Sequence, residues 1–416
     1  MSKADKLPGK PLGPIPDGYQ VIEGQLAIGG RTATELVEEA GDTPLFVYSR
    51  AVIAQTMARL RDAMPARLHI NYAIKANSHP DVLGFMTDLV DGYDIASGGE
   101  LEKIVVAGID ASRVSFAGPG KRDWELEAAI SAGVTLNLES EGEAERALAI
   151  GGRLGIAPRL AIRVNPIFDM KGSGMKMGGG AKPFGVDAER VPALARQLID
   201  AGADWRGLHI YTGSQALSAD AVIETQANVL DLADGIARDI GRPLPKLNMG
   251  GGFGIPYFHG DEPLDIAAIG EALEKRFADL PATLQDAHLC IELGRYLVGL
   301  AGVYLCRIVD RKVSHDEIFL VTDGGLHHQL AASGNFGTVV RRNYPAAIVT
   351  RFGATADEVQ NVVGCLCTPL DRLSDKAFLP RADVGDIVAI FCAGAYGASA
   401  SPAQFLGQGP AREVLV

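Results

Sequence analysis

Two sequence features stand where a chemical role would place them, directly after short apolar segments. Lys75 follows Tyr72–Ile74, and the run Gly250–Gly252 follows Lys246–Met249. A lysine at the end of an apolar segment is partly desolvated, which favours the neutral amine that attacks an aldehyde. Successive glycines let several backbone N–H groups converge on one anion. Each feature also has an ordinary explanation, since such a lysine is usually solvated and a glycine run can be a turn.

A carboxylate and a guanidinium lie near the end of another apolar segment. Glu292 ends the segment Leu289–Glu292, and Arg295 follows three residues later. At this spacing both can face one pocket, although a structural ion pair is the alternative. With Lys75 and the glycines they supply what pyridoxal phosphate requires. These are an amine for a Schiff base, donors for a phosphate, and an acid that keeps the pyridine nitrogen protonated.

Eight segments have the length and composition of buried strands, and they alternate with segments of helical period. The strands are expected at Leu68–Ile74, Gly92–Ala96, Arg113–Ala117, Val134–Leu138, Leu160–Asn165, Gly207–Tyr211, Lys246–Met249 and Leu289–Glu292. This count predicts a (β/α)8 TIM-type barrel, and a doubly wound sheet is the competing fold. Functional side chains gather at the C-terminal ends of barrel strands. Those ends carry Lys75, Asp94, Arg163, His209, Tyr211, Gly250 and Glu292.

After about residue 300 the helical segments become rare, which predicts a C-terminal antiparallel β domain, either a sandwich or a barrel. Its strands are expected at Val303–Val309, Glu317–Val321, Val339–Ile348, Val359–Val363 and Ile387–Cys392. Before the barrel, a proline-rich start predicts a loose leader, and Tyr19–Ile28 predicts a strand that joins the β domain. The expected division is therefore 1–42 for leader and strand, 43–298 for the barrel, and 299–416 for the β domain.

One long loop, Pro166–Lys182, contains five glycines and three methionines and has neither helical nor strand period. Two explanations stay open for it. It is either a flexible surface excursion or a mobile lid at the barrel mouth.

The composition argues against several classes of protein. The formal net charge is −12 and the pI about 5.2, which disfavours nucleic acid or an anionic membrane as the main partner. No apolar run reaches the roughly 18 residues of a membrane span. Five cysteines, an odd number, fit a reducing, cytoplasmic compartment better than a disulfide framework. No cysteine or histidine set has the spacing of a metal site.

Four motifs, in this order along the chain, resemble the fold-type III decarboxylases that depend on pyridoxal phosphate, such as diaminopimelate and ornithine decarboxylases. The motifs are Tyr72-Ala73-Ile74-Lys75-Ala76-Asn77, Ala96-Ser97-Gly98-Gly99-Glu100, Gly250-Gly251-Gly252-Phe253-Gly254 and Gly394-Ala395-Tyr396-Gly397. The resemblance extends from about residue 43 to the C-terminus. It implies an alanine racemase-like fold and removal of the α-carboxylate of an amino acid.

The resemblance also implies roles for individual residues. Lys75 would form the Schiff base, Glu292 would contact the pyridine nitrogen, and Cys367 would protonate the substrate carbon after CO₂ leaves. Further cofactor contacts would come from Asp94, Arg163, His209, Tyr211, Ser214, Gly250, Gly251, Gly252, Gly294, Arg295 and Tyr396. The segment of Cys367 is one that the family donates across a homodimer interface, so the active sites would be shared. Near the substrate and this interface would lie Thr368, Asp371 and Arg295. For Cys367 the alternative is a buried small hydrophobe.

The sequence also departs from the familiar members. Tyr211 replaces the histidine that stacks on the cofactor ring, and Thr368 replaces an acidic residue. Leu293 replaces the proline of the usual Glu-Pro-Gly-Arg, and the stretch 324–337 lacks the arginine with which diaminopimelate decarboxylases read the distal end of their substrate. These features resemble a subgroup associated with exosortase and exopolysaccharide loci, whose relatives include enzymes acting on carrier-tethered aminoacyl groups. The expected substrate is therefore an amino acid or a carrier-bound aminoacyl group.

Several alternatives stay open at this point. The chain could be a diaminopimelate decarboxylase proper, an amino-acid racemase, a non-catalytic homologue that binds the cofactor, or a barrel without cofactor. An acid at Glu292 favours decarboxylation over racemisation, because racemases of this fold place an arginine near the pyridine nitrogen. The presence of both Lys75 and Cys367 disfavours a non-catalytic role.

Overall fold

The computed structural model describes residues 8–172, 174–334 and 342–416 of the chain. Contacts between Cα atoms divide it into two compact units. The barrel unit comprises Met57–Ile255 and Pro263–Gly294, and the β unit comprises Met1–Thr56, Pro256–Glu262 and Arg295–Val416. The β unit is thus assembled from three separate stretches of sequence.

Eight parallel strands close into the predicted barrel. In chain order, barrel strands one to eight are His69–Ala73, Gly92–Ile95, Val114–Phe116, Thr135–Leu138, Arg159–Asn165, Asp204–Ile210, Lys246–Gly251 and His288–Leu293. Each pairs in parallel with the next, and strand eight pairs with strand one to close the ring. Most strand residues are buried, as expected when helices cover the outer face of a parallel sheet.

The helices of the barrel unit follow the strands and are fixed by local capping. They are Pro80–Met86, Gly98–Val106, Asp123–Ala132, Glu141–Leu154, Val191–Asp200, Ala219–Ile240 and Ile266–Ala278, while Arg50–Ala63 bridges the boundary between the units. Ser97, Ser140 and Ser218 each accept a backbone N–H at a helix start, which satisfies one of the donors left over there. Gly133 and Gly241 end two helices with positive φ, which a residue with a side chain rarely adopts.

The β unit contains one sheet of eight strands. They are Leu45–Tyr48, Gly302–Ser314, Glu317–Thr322, Ala346–Ile348, Glu358–Val363, Arg372–Leu379, Ile387–Ile390 and Arg412–Leu415. The pairings are mostly antiparallel, as predicted, and the pairings of Glu317–Thr322 with Glu358–Val363 and of Leu45–Tyr48 with Arg412–Leu415 are parallel. Two short helices, Ala33–Ala40 and Arg295–Val298, also belong to this unit.

The N-terminal region agrees with the expected arrangement in part. Tyr19–Ile28 lies in the β unit, as predicted, and its strands Gln20–Ile22 and Gln25–Ile28 form a small sheet of their own with Arg31–Thr32. The expected boundary at residue 43 assigns Leu45–Tyr48 to the barrel, whereas this strand pairs within the sheet of the β unit.

The leader is also less loose than its prolines predict. Lys10 N–H donates to the Lys376 carbonyl at 2.8 Å, and Gly13 N–H donates to the Asn343 carbonyl at 3.1 Å. Backbone hydrogen bonds therefore tie residues 10–13 to the β unit. Residues 1–7 of the predicted leader lie outside the described residues.

In the C-terminal half, one strand prediction needs correction and two strands were missed. The strand predicted at Val339–Ile348 is observed only at Ala346–Ile348, and residues 339–341 lie outside the described part. Arg372–Leu379 and Arg412–Leu415 were not predicted. Across the described residues, no helix is both long and apolar enough to cross a membrane.

The long glycine-rich loop is held by backbone hydrogen bonds within the barrel unit. Met175–Lys176 pairs antiparallel with Gly213–Ser214. On either side of this pairing, Gly174 N–H donates to the Ser214 carbonyl at 2.8 Å and Met177 N–H to the Thr212 carbonyl at 2.9 Å. The loop is therefore attached to the segment that follows barrel strand six.

Candidate active site

Lys75 lies where the sequence predicts it, in the single turn Ile74–Ala76 that follows barrel strand one. Its ammonium nitrogen is 5.7 Å from the ring centroid of Tyr211, at the end of strand six. The side chain of Lys75 is exposed, so the desolvation expected from its position is not observed. The structure thus gives an accessible amine over an aromatic ring.

Glu292 sits at the end of barrel strand eight inside a buried polar cluster. Its Oε2 lies 3.1 Å from His209 Nε2 and accepts a hydrogen bond from Asn248 Nδ2 at 3.0 Å. Burial alone would raise the pKa of Glu292, but the charge of His209 and its hydrogen bond outweigh burial and lower the pKa. The charge of Lys75 acts in the same direction. Glu292 therefore stays ionised in the barrel interior.

Asp94 is the second acid of this interior. It is buried at the end of strand two and accepts a hydrogen bond from the Ser115 hydroxyl on strand three. Burial raises the pKa of Asp94, and the negative charge of Glu292 raises it further. The pKa values of these two neighbouring acids therefore shift in opposite directions. His209, Lys75 and Arg163 outweigh burial at Glu292, whereas the charges of Lys246 and His209 do not outweigh it at Asp94.

Gly250, Gly251 and Gly252 lie where strand seven ends, and their lack of side chains is required there. A Cβ on Gly251 would lie 1.8 Å from the Glu292 carbonyl oxygen, and one on Gly252 would lie 2.2 Å from the Gly213 carbonyl oxygen. Gly250 and Gly252 also have positive φ, 71° and 84°. The close approach of neighbouring backbone therefore explains the glycine run by itself. An anion site there is compatible with this packing and remains a prediction.

Arg163, predicted to contact the cofactor, is engaged with another carboxylate. Its Nη1 donates to Glu139 Oε1 at 2.9 Å, and its guanidinium lies 4.9 Å from the Phe184 ring centroid. Glu139 also accepts the N–H groups of Gly118 and Gly185, both at 2.7 Å. This placement favours a structural role for Arg163, although its charge still contributes to the lowered pKa of Glu292.

The barrel interior leaves polar atoms that a ligand could satisfy. The buried Oγ of Ser214 and the buried Oδ2 of Asp94 have no hydrogen-bond partner among the described residues. Such atoms are nearly always satisfied in native proteins, so these two indicate a missing polar group. A serine hydroxyl can donate to a phosphate, the amine of Lys75 suits an aldehyde, and the carboxylate of Glu292 suits a protonated pyridine. The residues present therefore fit pyridoxal phosphate.

Arg295 and Tyr396, the predicted phosphate contacts, lie together in the β unit. The guanidinium carbon of Arg295 is 4.7 Å from the ring centroid of Tyr396. Tyr396 has a φ of 60°, which a residue with a bulky side chain adopts only where its surroundings impose it. Gly294 precedes this arginine, and a Cβ on it would lie 2.8 Å from the Cβ of Ala76.

The loop that contains Cys367 exposes this cysteine to solvent and is held in place by a buried aspartate. Cys367 is exposed, which contradicts the alternative of a buried small hydrophobe. Asp371 is buried, and its two carboxylate oxygens accept the N–H groups of Leu326 at 2.6 Å and Leu366 at 2.9 Å. Asp371 therefore has a structural role in joining two loops, and its expected contact with substrate or partner subunit stays a prediction. Thr368 is partly exposed beside it.

Three residues of these clusters were missed from the sequence. Asn248 and Ser115 carry the hydrogen bonds to the two acids, and Tyr257 accepts a hydrogen bond from Arg295. Asn248 could have been found, because it lies near the end of a predicted strand like the other candidates. No spacing signal distinguishes Ser115 or Tyr257.

Comparison with known proteins agrees with this chemistry. The family described as "Pyridoxal-dependent decarboxylase, pyridoxal binding domain" matches residues 50–299. L-glutamyl-[BtrI acyl-carrier protein] decarboxylase of Niallia circulans is 34% identical over 90% of this chain and 89% of its own. A diaminopimelate decarboxylase of Methanothermobacter thermautotrophicus is 31% identical over 97% of this chain and 93% of its own.

A solved structure extends the agreement to the whole fold. The crystal structure of diaminopimelate decarboxylase from M. jannaschii superposes with a TM-score of 0.83 and 26% identity, covering 96% of this chain and 92% of that one. The family match, the relatives and the residues of the barrel interior lead to one conclusion. The chain belongs to the pyridoxal-dependent decarboxylases of fold type III and is a carboxy-lyase that uses pyridoxal phosphate.

Proposed function

We propose that the protein decarboxylates an aminoacyl group tethered to a carrier protein, in a homodimer whose Cys367 supplies the final proton. Pyridoxal phosphate, when bound, provides the electron sink into which the bond to the carboxylate breaks. Lys75 would hold the aldehyde carbon, and Glu292 would keep a proton at the pyridine nitrogen. Tyr211 would pack against the ring, a role for which a tyrosine can replace histidine.

We choose a tethered substrate because of the composition and burial of the segment that follows Asp323. His327, His328 and Gln329 are buried there, and residues 324–337 contain no arginine or lysine. Burial lowers the pKa of His327 to about 4, so its ring is neutral at neutral pH. No cation in this segment is therefore available for a distal carboxylate. When the distal carboxylate of the substrate is linked to a carrier, it is no longer a free anion, so the protein needs no cation to bind it.

The substrate class is tested by measuring CO₂ release from glutamyl carrier protein, free glutamate and free diaminopimelate. We expect the tethered substrate to be turned over at least about ten-fold more efficiently than either free amino acid, since binding energy from the carrier raises kcat/KM. Faster turnover of free diaminopimelate would instead make the protein a diaminopimelate decarboxylase, as several relatives are named. Exchange of enantiomers without CO₂ release would indicate a racemase.

Replacing Cys367 with alanine should slow turnover by about ten- to a thousand-fold, because a general acid contributes on this scale. Cys365 is the matched control, because it is exposed on the same loop and lies two residues away. Cys365→Ala should keep nearly full activity. Product formed in deuterium oxide should lose its uniform stereochemistry at the new C–D bond only in Cys367→Ala. Equal rates for both variants would contradict the role of Cys367.

The shared site of the homodimer is tested with the same variant. When Lys75→Ala and Cys367→Ala proteins are mixed and allowed to exchange subunits, mixed dimers contain one intact site if the two residues act across the interface. About a quarter of the wild-type activity should then return, since half of the dimers are mixed and each has one of two sites. No recovery, with exchange shown by mass, would place both residues in one subunit's site. The cytoplasmic location and the exosortase association stay predictions from the sequence.

A further inference from the structure

Arg295 has aromatic rather than acidic neighbours within the described part of the chain. It is half-buried, and the groups that act on its charge there are Tyr257, Tyr396 and Tyr344, with no carboxylate among them. Its neighbours are aromatic instead. The guanidinium carbon lies 4.7 Å from the Tyr396 ring centroid and 5.5 Å from that of Tyr257. A partly desolvated cation with no counter-ion suits an anionic ligand, because burying a charge without a partner is otherwise costly.

Tyr257 fixes the direction of this guanidinium. Nη1 of Arg295 donates to the Tyr257 hydroxyl at 2.6 Å. Tyr257 is itself buried, and its ring centroid lies 4.7 Å from that of Tyr344. A hydrogen bond to one nitrogen of a planar guanidinium sets the orientation of its remaining N–H donors. Burial raises the pKa of Tyr257 to about 12, so its hydroxyl is neutral at neutral pH.

The backbone of Tyr257 is held as firmly as its ring. The N–H groups of Tyr257 and Phe258 both donate to Asp261 Oδ2 at 3.1 Å. On the other side the leader packs so closely that a Cβ on Gly13 would lie 2.0 Å from the Tyr257 carbonyl oxygen. Gly13 is fixed there by its hydrogen bond to the Asn343 carbonyl at 3.1 Å. Contacts from the leader at Gly13, from the loop at Asp261 and from the ring of Tyr344 therefore all hold Tyr257 in place.

We infer that Tyr257 is a positioning residue that aims Arg295 at the phosphate of pyridoxal phosphate, and that the leader at Gly13 braces it. The inference rests on the proposed phosphate contact of Arg295. It predicts that loss of the Tyr257 hydroxyl weakens recognition of the phosphate group and leaves recognition of the rest of the cofactor intact. A hydroxyl that merely stabilised the fold would weaken both equally.

The test compares the affinities of the cofactor-free protein for pyridoxal phosphate and for pyridoxal, which lacks the phosphate. In Tyr257→Phe we expect the Kd for pyridoxal phosphate to rise roughly ten-fold, the size of one lost hydrogen bond to a charged group, with the Kd for pyridoxal unchanged within about two-fold. Tyr19→Phe is the matched control, because it removes a hydroxyl of the same unit whose hydrogen bond goes to the Leu300 carbonyl, at 2.8 Å, and not to Arg295. It should leave the ratio of the two Kd values at the wild-type value.

Two further variants separate the possible failures. Arg295→Gln should change the ratio more than Tyr257→Phe, and an unchanged ratio in Arg295→Gln would overturn the phosphate contact and this inference together. A changed ratio in Arg295→Gln with an unchanged ratio in Tyr257→Phe would overturn the positioning role alone. If Tyr257→Phe does not fold, Gly13→Ala displaces the same tyrosine from its backbone side. It should raise the Kd for pyridoxal phosphate selectively, and an equal rise for pyridoxal would contradict the inference.

Discussion

Replacing Lys75 with alanine should abolish covalent retention of pyridoxal phosphate and reduce turnover by at least about a thousand-fold, the largest effect expected of any single change here. The structure gives the physical reason. Lys75 lies in the turn that follows barrel strand one, and its exposed amine lies 5.7 Å from the centroid of the Tyr211 ring. No methyl group can bond to an aldehyde, so the cofactor would be held by its phosphate and ring alone.

The measurement is the visible absorbance of the purified protein and the mass of the peptide that borohydride labels. Wild type should be yellow and should carry the reduced cofactor on Lys75, whereas Lys75→Ala should be colourless after dialysis. Lys103→Ala is the matched control, since Lys103 lies on the nearby helix Gly98–Val106 and donates to the Ser78 hydroxyl. Cofactor trapped on another lysine in the wild type would refute the assignment.

Replacing Glu292 with glutamine should lower kcat by about a hundred- to a thousand-fold, or roughly 3–4 kcal/mol of barrier. A neutral amide cannot keep the pyridine nitrogen charged, so electrons from the broken bond would be poorly accepted. The buried pair with His209, 3.1 Å between Nε2 and Oε2, should also lose its attraction. Some loss of cofactor affinity is expected for that reason.

The pH dependence sharpens this prediction. Because its cationic neighbours overcome burial and lower the pKa of Glu292, the wild-type carboxylate should remain ionised as the pH falls through the neutral range. The ratio of wild-type to Glu292→Gln activity should therefore be constant between roughly pH 6 and 8. A ratio that shrinks toward the acid end would mean that Glu292 becomes protonated there and that its low pKa is wrong. Glu224→Gln, an acid on an exposed helix face paired with Lys171, should have no effect.

The barrel was predictable because its signals are local. Each of its strands is an apolar run, and the rule that side chains gather at strand ends placed Lys75, Asp94 and Glu292 at the observed positions. Leu45–Tyr48 has the same apolar character, but its place depends on partners at Gly302–Leu305 and Arg412–Leu415. Nothing local to the run specifies partners so distant in sequence.

The hydrogen-bond partners of the site were harder to predict for a related reason. Ser115 reaches Asp94 because strands two and three pair with these residues in register, and register is invisible in a single strand. Tyr257 reaches Arg295 only because Pro256–Glu262 leaves the barrel unit and packs in the β unit. The exposure of the Lys75 side chain likewise depends on which residues pack around it in space, and residue spacing in the sequence does not specify them.

The position of the strand Leu45–Tyr48 in the chain has a consequence for folding during translation. It is synthesised before the barrel, whereas both of its partner strands, at Gly302–Leu305 and Arg412–Leu415, follow the barrel in the chain. All four residues of this strand are buried in the folded protein. While the barrel is being synthesised, the nascent chain therefore exposes an apolar β segment that has no partner strand. Chaperone capture of nascent chains should therefore depend on this short segment, and polypeptides that terminate prematurely should aggregate through it.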